Sequence, residues 1–173
     1  NGQVYDLIIQ VEDDGGNTDS QAYQVTVTDV NETPIITSPV PQGFSNYIPI
    51  SIPENTTSVT PIVASSDAGE TLTYSLSGCD KDYFSISTSG VIEFKIAPDF
   101  ENLGSTCNNN PKKFVFNAKV SDGTYEETSD LIEVTVTDVN DNAPVFTSSA
   151  TFSAAENQTS VDTVTATDAD GDS

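Results

Sequence analysis

The feature that most limits what this chain can become is that it repeats itself. The stretch QVEDDGGNTDSQAYQVTVTDVN at 10–31 aligns with KVSDGTYEETSDLIEVTVTDVN at 119–140. Asp13 falls on Asp122 and Asp29 on Asp138, 109 positions apart in both pairs. A second match ties the middle to the end: IPENTTSVTPIVASSDAG at 52–69 resembles AAENQTSVDTVTATDADG at 154–171, with Glu54 on Glu156 and, one position out of that register, Asp67 on Asp168. Units of ~100 residues are too long for a solenoid repeat and long enough to be a domain each. The chain is therefore expected to hold the end of one unit at 1–32, a whole unit at 33–140 and the beginning of a third at 141–173.

Within a unit the hydrophobic period is two. Leu7, Ile9 and Val11 alternate with polar residues, and so do Val25 and Val27. The same holds for Leu72, Tyr74 and Leu76, for Phe84 and Ile86, and for Ile92, Phe94 and Ile96. Two longer runs follow, Phe114 to Val120 and Ile132 to Val136. Alternation of this kind describes strands with one face on a core and one in water. STSG at 87–90 and SDGT at 121–124 supply turns between them. About seven short strands per ~100 residues is the pattern of a two-sheet sandwich, so the expected class is all-β, with tandem β-sandwich repeats.

Charge narrows the partners. The chain carries 27 Asp and Glu against five Lys, with no Arg and no His, for a net charge of −22. Phosphate recognition needs a basic footprint that is missing, and anionic membrane surfaces would repel such a chain. No apolar run reaches the ~18–20 residues of a membrane-spanning helix, and no signal peptide is visible. Without His there is no Ser–His or Cys–His pair for nucleophilic catalysis, and no phosphate-cradling glycine loop is present. The chain is not expected to be an enzyme. A glycosidase-like reading of Asp99 and Glu101 is conceivable but has a better competitor below. The two cysteines, Cys79 and Cys107, offer too few ligands for structural zinc and are expected to form one disulfide, with two buried thiols as the alternative.

The acidic residues gather where strands should end. PEN holds Glu54, SDAGE holds Asp67 and Glu70, PDFEN holds Asp99 and Glu101, SDG holds Asp122, and DVNDNAP at 138–144 holds two Asp and two Asn. In a sandwich, strand ends meet at two poles. Glu54, Asp99 and Glu101 are expected to meet the 138–144 linker at one pole, and Asp67 to meet Asp122 at the other. Two carboxylates ~5 Å apart repel by about 3 kcal/mol at an effective dielectric of ~20. A group of four or five implies a neutralising cation. Hard oxygen ligands at this density suit Ca²⁺, which takes six to eight, better than the tighter octahedron of Mg²⁺.

DVNDNAP, with PEN and DFE before it, VSDG ahead of the last strand and TDADGD after it, resembles the cadherin repeat over essentially the whole chain. The resemblance implies Greek-key sandwiches joined by calcium junctions. It implies that Glu54, Asp99, Glu101, Asp138 and Asp141 supply carboxylates, with the Val139 and Asn142 carbonyls and the Asn140 side chain. Asp168 and Asp170 would close the site from the following repeat. The first linker, DVNETP at 29–34, departs from the pattern: it is one residue shorter, Glu32 and Thr33 replace Asp and Asn, and Gly69 stands where the second Asp of DAD would be. Asp29, Asn31, Glu32, Asp67 and Asp122 are its expected ligands, with weaker or fewer cations.

From the same resemblance follow an extracellular or cell-surface location, other repeats of the chain as neighbours, and a role in adhesion or as a stalk stiffened by calcium. Copies of the chain or a cell-surface ligand are possible partners. No Trp is present to serve as the anchor of strand-swapping relatives. VNETP is similar to linkers in large bacterial adhesins. The alternative function is calcium-dependent polysaccharide binding, for which Tyr47, Tyr83 and Tyr125 are the candidate stacking aromatics. NET at 31, NTT at 55 and NQT at 157 are formal glycosylation sequons read as structural.

Overall fold

The structure, a computed structural model, describes residues 2–41, 43, 46–67, 69–104, 107 and 109–171. The PVPQGFSN stretch at 39–46, which the third repeat lacks, and the polar NLGSTCNNNPKK stretch at 102–113 therefore lie partly outside the described residues, at Gln42, Phe44, Ser45, Ser105, Thr106 and Asn108. Strands dominate. In chain order they are β1 (Val4–Glu12), β2 (Thr18–Thr26), β3 (Ile35–Ser38), β4 (Tyr47–Pro53), β5 (Val63–Ser65), β6 (Thr73–Ser77), β7 (Phe84–Ile86), β8 (Ile92–Phe94), β9 (Lys113–Ser121), β10 (Glu126–Thr128), β11 (Leu131–Thr137), β12 (Val145–Phe146) and β13 (Ala166–Thr167). Two short 3-10 turns, Lys81–Tyr83 and Phe100–Asn102, lie among them.

One layer is built on β9, which pairs antiparallel with β6 on one side and β11 on the other. β4 joins β11 in parallel, Ile48 opposite Ile132 and Ile52 opposite Val136. Pro49 and Pro53 interrupt the alternation of β4 and hide it in the sequence. Proline is tolerated there because this strand lies at the sheet edge. β10 extends the β11 edge of β9, and Ser129 marks the break between the two. Its hydroxyl accepts the Ala118 N–H at 2.9 Å and its own N–H donates to the Ala118 carbonyl at 2.8 Å, so the ladder stays satisfied across the gap.

The facing layer is made of the β3–β5 and β7–β8 pairs. STSG turns the chain between β7 and β8. Gly90 sits at φ +82° with its α-carbon against the Ile62 carbonyl, where a Cβ would come within 2.3 Å. Between the layers lie Phe84, Phe94, Phe114, Phe116, Ile92, Ile132 and Val134, all buried. The alternation predicted this set, except at Ile96. That residue falls beyond β8, where the chain turns off towards Pro98, and it is 83 % exposed.

The 109-residue offset is visible in the backbone. β1 and β2 form a nine-residue antiparallel ladder at the positions that β9 and its β10–β11 partners occupy. Both copies close with the same turn chemistry. Asp13 accepts the Gly15 and Asn17 N–H groups, and Asp122 accepts those of Thr124 and Tyr125. Burial differs. Tyr5, Leu7, Ile9 and Val11 are 50, 47, 53 and 63 % exposed, while Phe114, Phe116, Ala118 and Val120 are at 1 % or below. No second layer covers β1–β2 among the described residues. The second repeat match is also structural: Ile35 faces Ser65 in β3–β5 as Val145 faces Thr167 in β12–β13.

Cys79 and Cys107 form the disulfide expected of them.

Candidate metal centre

Three pieces of chain converge at the end of β11. The first is the turn after β4. There Glu54 is only 2 % exposed. Its backbone N–H continues the β4–β11 ladder to the Thr137 carbonyl at 3.0 Å, so the side chain is aimed by the sheet itself. The second piece is the 3-10 turn Phe100–Asn102, held by the Asn102 N–H on the Asp99 carbonyl. The third is the linker. Glu54 binds the other two together: one carboxylate oxygen accepts the Phe100 N–H at 2.6 Å and the other the Val139 N–H at 2.9 Å.

Around this anchor two groups of carboxylates form. Glu54, Glu101 and Asp138 place oxygens within 4.8 Å of one another, and so do Glu101, Asp141 and Asp170. Glu101 belongs to both. Asp170 reaches the linker from the segment after β13, where its carboxylate accepts the N–H groups of Asp141 and Asn142 at 3.0 and 2.8 Å. Asp168 shapes that segment, accepting the Asp170 N–H at 3.0 Å. Asp99 contributes its carbonyl to the 3-10 turn and stands outside both groups, and Val139 donates its N–H to Glu54. Asn140 lies in the linker between Asp138 and Asp141.

The donor balance at this point is informative. The Asn142 amide nitrogen lies 3.2, 2.9 and 2.8 Å from oxygens of Glu101, Asp141 and Asp170. An amide has two protons to give, so three carboxylates are sharing one donor group that cannot satisfy them all. Asn55 adds a second amide, donating to Asp141. The sequon at 55 therefore has its acceptor nitrogen engaged at this pole. The site is rich in oxygen acceptors and poor in positive charge, which is the chemistry a calcium ion completes.

The linker at 29–34 is built differently. Here the Glu32 N–H donates to Asp67 at 2.9 Å. By the bond it makes, Asp67 plays the part of Asp170, rather than of the Asp168 that sequence alignment pairs it with. Asp29 stands close enough to Glu32 and Glu70 to perturb both. Among the described residues, three side-chain oxygens at this pole are shut off from solvent with no hydrogen-bond donor: Asn31 Oδ1, Glu70 Oε2 and Asp122 Oδ2. Orphaned buried acceptors of this kind fit a cation. Glu70 stands in the SDAGE cluster without an assigned role: with Asp67 set on Asp168 it falls on Gly171, while at the 102-residue offset that pairs Glu54 with Glu156 it falls on Asp172.

Acidities report the same crowding. Glu101 is held above the ordinary 4.5 by burial and then by repulsion from Glu54, Asp170 and Asp138. Burial and the charges of Asp122 and Asp67 raise Glu70, while Glu32 is raised by its side-chain hydrogen bond with Asp67 and then by that residue's charge. Asp170, Asp122 and Asp13 lie below 3.8, stabilised chiefly by the Asn142 amide, the Tyr125 N–H and the Asn17 amide respectively. The two sets act in opposite directions on stability. The lowered aspartates contribute stability above 3.8 that is lost as pH falls. The raised glutamates are more easily protonated folded than unfolded, so stability is lost as pH rises through their range. In chelator the chain is expected to be most stable at roughly pH 4–5 and to melt lower at pH 7.5. A higher melting temperature at pH 7.5 than at pH 4.5, without divalent cation, would contradict this balance.

The polysaccharide aromatics do not gather into one platform. Tyr47 opens β4, Tyr125 lies in the Asp122 turn, and Tyr83 sits in the 3-10 turn before β7 with its hydroxyl donated to the Gly104 carbonyl. No helix is long and apolar enough to cross a membrane among the described residues.

No protein-family model matches the chain. It is 32 % identical to mouse cadherin-related family member 3 over 151 residues, which is 84 % of this chain and 17 % of that protein. Among solved structures, human protocadherin-24 EC1-2 superposes with a TM-score of 0.58 at 26 % identity, over 80 % of this chain and 61 % of that one. The extracellular domain of protocadherin GammaB4 gives 0.57 at 26 % identity, over 84 % of this chain and 22 % of that one. The chain thus spans less than two thirds of each.

Proposed function

Since the chain belongs to the cadherin-repeat family, whose extracellular domains are adhesive and structural modules rather than enzymes, we propose that it is a calcium-stiffened segment of a cell-surface adhesive array. In this reading residues 1–32, 33–140 and 141–173 belong to three successive repeats, and the linkers at 29–34 and 138–144 are their junctions. Glu54, Glu101, Asp138, Asp141 and Asp170 hold calcium at the second junction. Asp99, Asp168 and the linker groups Val139, Asn140 and Asn142 complete or shape it. Asp29, Asn31, Glu32, Asp67, Glu70 and Asp122 hold calcium at the first.

The observation that carries the reading is Glu101. It stands in two carboxylate groups at once, one made with the turn after β4 and the β11 end and the other with Asp170 from beyond β13. An ion between them neutralises the repulsion and ties the sandwich to the segment that follows. A charged, hinged linker becomes a stiff one. Extracellular calcium modules bind at about 10⁻⁴–10⁻³ M, so millimolar calcium is required. A related protocadherin, gammaB7, forms a cis-dimer in its EC3-6 structure, and association between copies of this chain is part of the proposal.

Small-angle scattering in 5 mM calcium, 5 mM magnesium and chelator tests it, the concentrations being about fivefold above the weakest Kd of that range. Calcium alone should give a longer particle with less interdomain spread. Identical profiles in calcium and chelator would remove the hinge from the reading and leave the acidic surface as a solubility device.

A further inference from the structure

Asn55 stands at the corner where the sandwich meets the linker, and its backbone leaves it little freedom. It follows Glu54 in the turn after β4 and adopts φ +59°, a left-handed conformation that asparagine enters far more readily than branched residues do. Its N–H donates to the carbonyl of buried Pro98 at 2.9 Å, directly ahead of Asp99 and the Glu101 turn. The next two residues are bonded in their turn. The Thr56 hydroxyl donates to the Pro53 carbonyl at 2.6 Å, and the Thr57 carbonyl accepts the Phe94 N–H at 2.8 Å. The Asn55 side chain is thereby aimed across 86 positions of sequence at the linker, where its amide donates to Asp141 Oδ2. Asp141 is exposed, lies outside the strands and joins Glu101 and Asp170 in the carboxylate group that reaches beyond β13. The same corner recurs at the 102-residue offset: Asn157 follows Glu156, again left-handed at φ +65°.

We propose that Asn55 is a positioning residue of the 138–144 junction, holding Asp141 by its amide N–H, so that calcium affinity there depends on a side chain that acts through a ligand rather than as one. The inference rests on the reading of that junction as a calcium site. A carboxylate has about four lone-pair positions, so Asp141 can keep the Asn55 N–H and still give oxygen to a cation. Asn142 donates to the other Asp141 oxygen, but from the adjacent linker position; Asn55 ties the carboxylate to the end of the sheet. Without that tie, Asp141 is in its binding position for only a fraction of the time, and the apparent affinity falls by that fraction. Hydrogen-bond partners of ligating groups are worth about 10–100-fold in metal affinity.

Glycine accepts a left-handed turn at least as well as asparagine, so Asn55→Gly deletes the amide and leaves the backbone unstrained. The whole chain is used as wild type, Asn55→Gly and Asn157→Gly, and with Asn55→Gly placed in an Asp141→Ala background. Calcium itself is titrated by calorimetry, and amide hydrogen exchange is followed separately in chelator. Asn55→Gly is expected to weaken calcium binding about tenfold, and Asn157→Gly, the same change at the matching corner, by less than about twofold. In the Asp141→Ala background Asn55→Gly should shift the residual affinity by less than about twofold, because the contact is already gone. Without calcium, the Asp141 and Asn142 amides should exchange faster in Asn55→Gly, while those of β9 and β11 keep their protection. Unchanged affinity in Asn55→Gly overturns the proposal. So does an equal loss in Asn157→Gly or in the Asp141→Ala background, since Asn55 would then not act through Asp141. Faster exchange throughout β9 and β11 overturns it too, by showing general loosening. Wild-type protein that takes up no calcium overturns the junction reading instead, and the positioning role with it.

Discussion

Replacing Glu54 by alanine is expected to lower the unfolding free energy in calcium-free buffer by about 3 kcal/mol, and also to abolish the calcium response. The two effects have separate origins. The carboxylate is buried and accepts two backbone N–H groups, from Phe100 and Val139. Alanine leaves both donors without their acceptor, at about 1–3 kcal/mol each. The same truncation removes the carboxylate around which Glu101 and Asp138 gather. Asp141→Ala separates the effects. Asp141 is exposed, and its oxygens accept from the side chains of Asn55 and Asn142. Its loss should change calcium-free stability by less than about 0.5 kcal/mol. It should nonetheless remove most of the stabilisation that saturating calcium supplies, about 2.7 kcal/mol at a hundredfold excess over Kd. Urea titrations of both variants, with calcium and with chelator, measure all four quantities. A Glu54→Ala protein as stable as wild type in chelator would show that the sheet, not this side chain, holds the junction together.

Phe84→Ala should cost about 3–5 kcal/mol, enough to remove much of the stability of a domain of this size. Phe84 is the ring on which the two layers meet. It comes from β7 and lies 4.2 Å from the Phe94 ring, 4.4 Å from Phe116 and 5.9 Å from Phe114, the last edge-on. β7 is three residues long and pairs with β8 by only three positions, so its backbone bonds cannot close the cavity by shifting as a unit without losing the ladder. Phe84→Leu retains part of the volume and should cost about half as much. The urea midpoint followed through Tyr fluorescence gives both values. A loss under about 1 kcal/mol for the alanine variant would mean that the β7–β8 layer is not needed to seal the core.

Much of this was legible in the chain before any coordinates. Period-two alternation marked β6, β7, β8, β9 and β11, because side chains on a strand face opposite sides and one side must be apolar. It missed β4, whose prolines obscure the pattern and whose parallel partner is far away in sequence. It placed Ile96 in a strand, because nothing local announces that the chain leaves the sheet after Phe94. The carboxylate motifs marked both linkers, but assigned no role to Asn55 or Glu70. Asn55 donates to a residue 86 positions away, and Glu70 is defined by neighbours that meet it only through the fold.

By itself, then, the sequence determined the repeat, the strand period, the acidic excess and the grouping of carboxylates at strand ends. These are all local, since each follows from residues a few positions apart or from a copy compared with itself. Tertiary structure alone decided which carboxylates share an oxygen cluster, and that Glu101 bridges two such clusters. It also decided that Asp67 takes the linker amide that Asp170 takes in the other copy. Those are contacts across tens of residues. They are set by how the β4 and β11 ends meet, and no spacing along the chain encodes them.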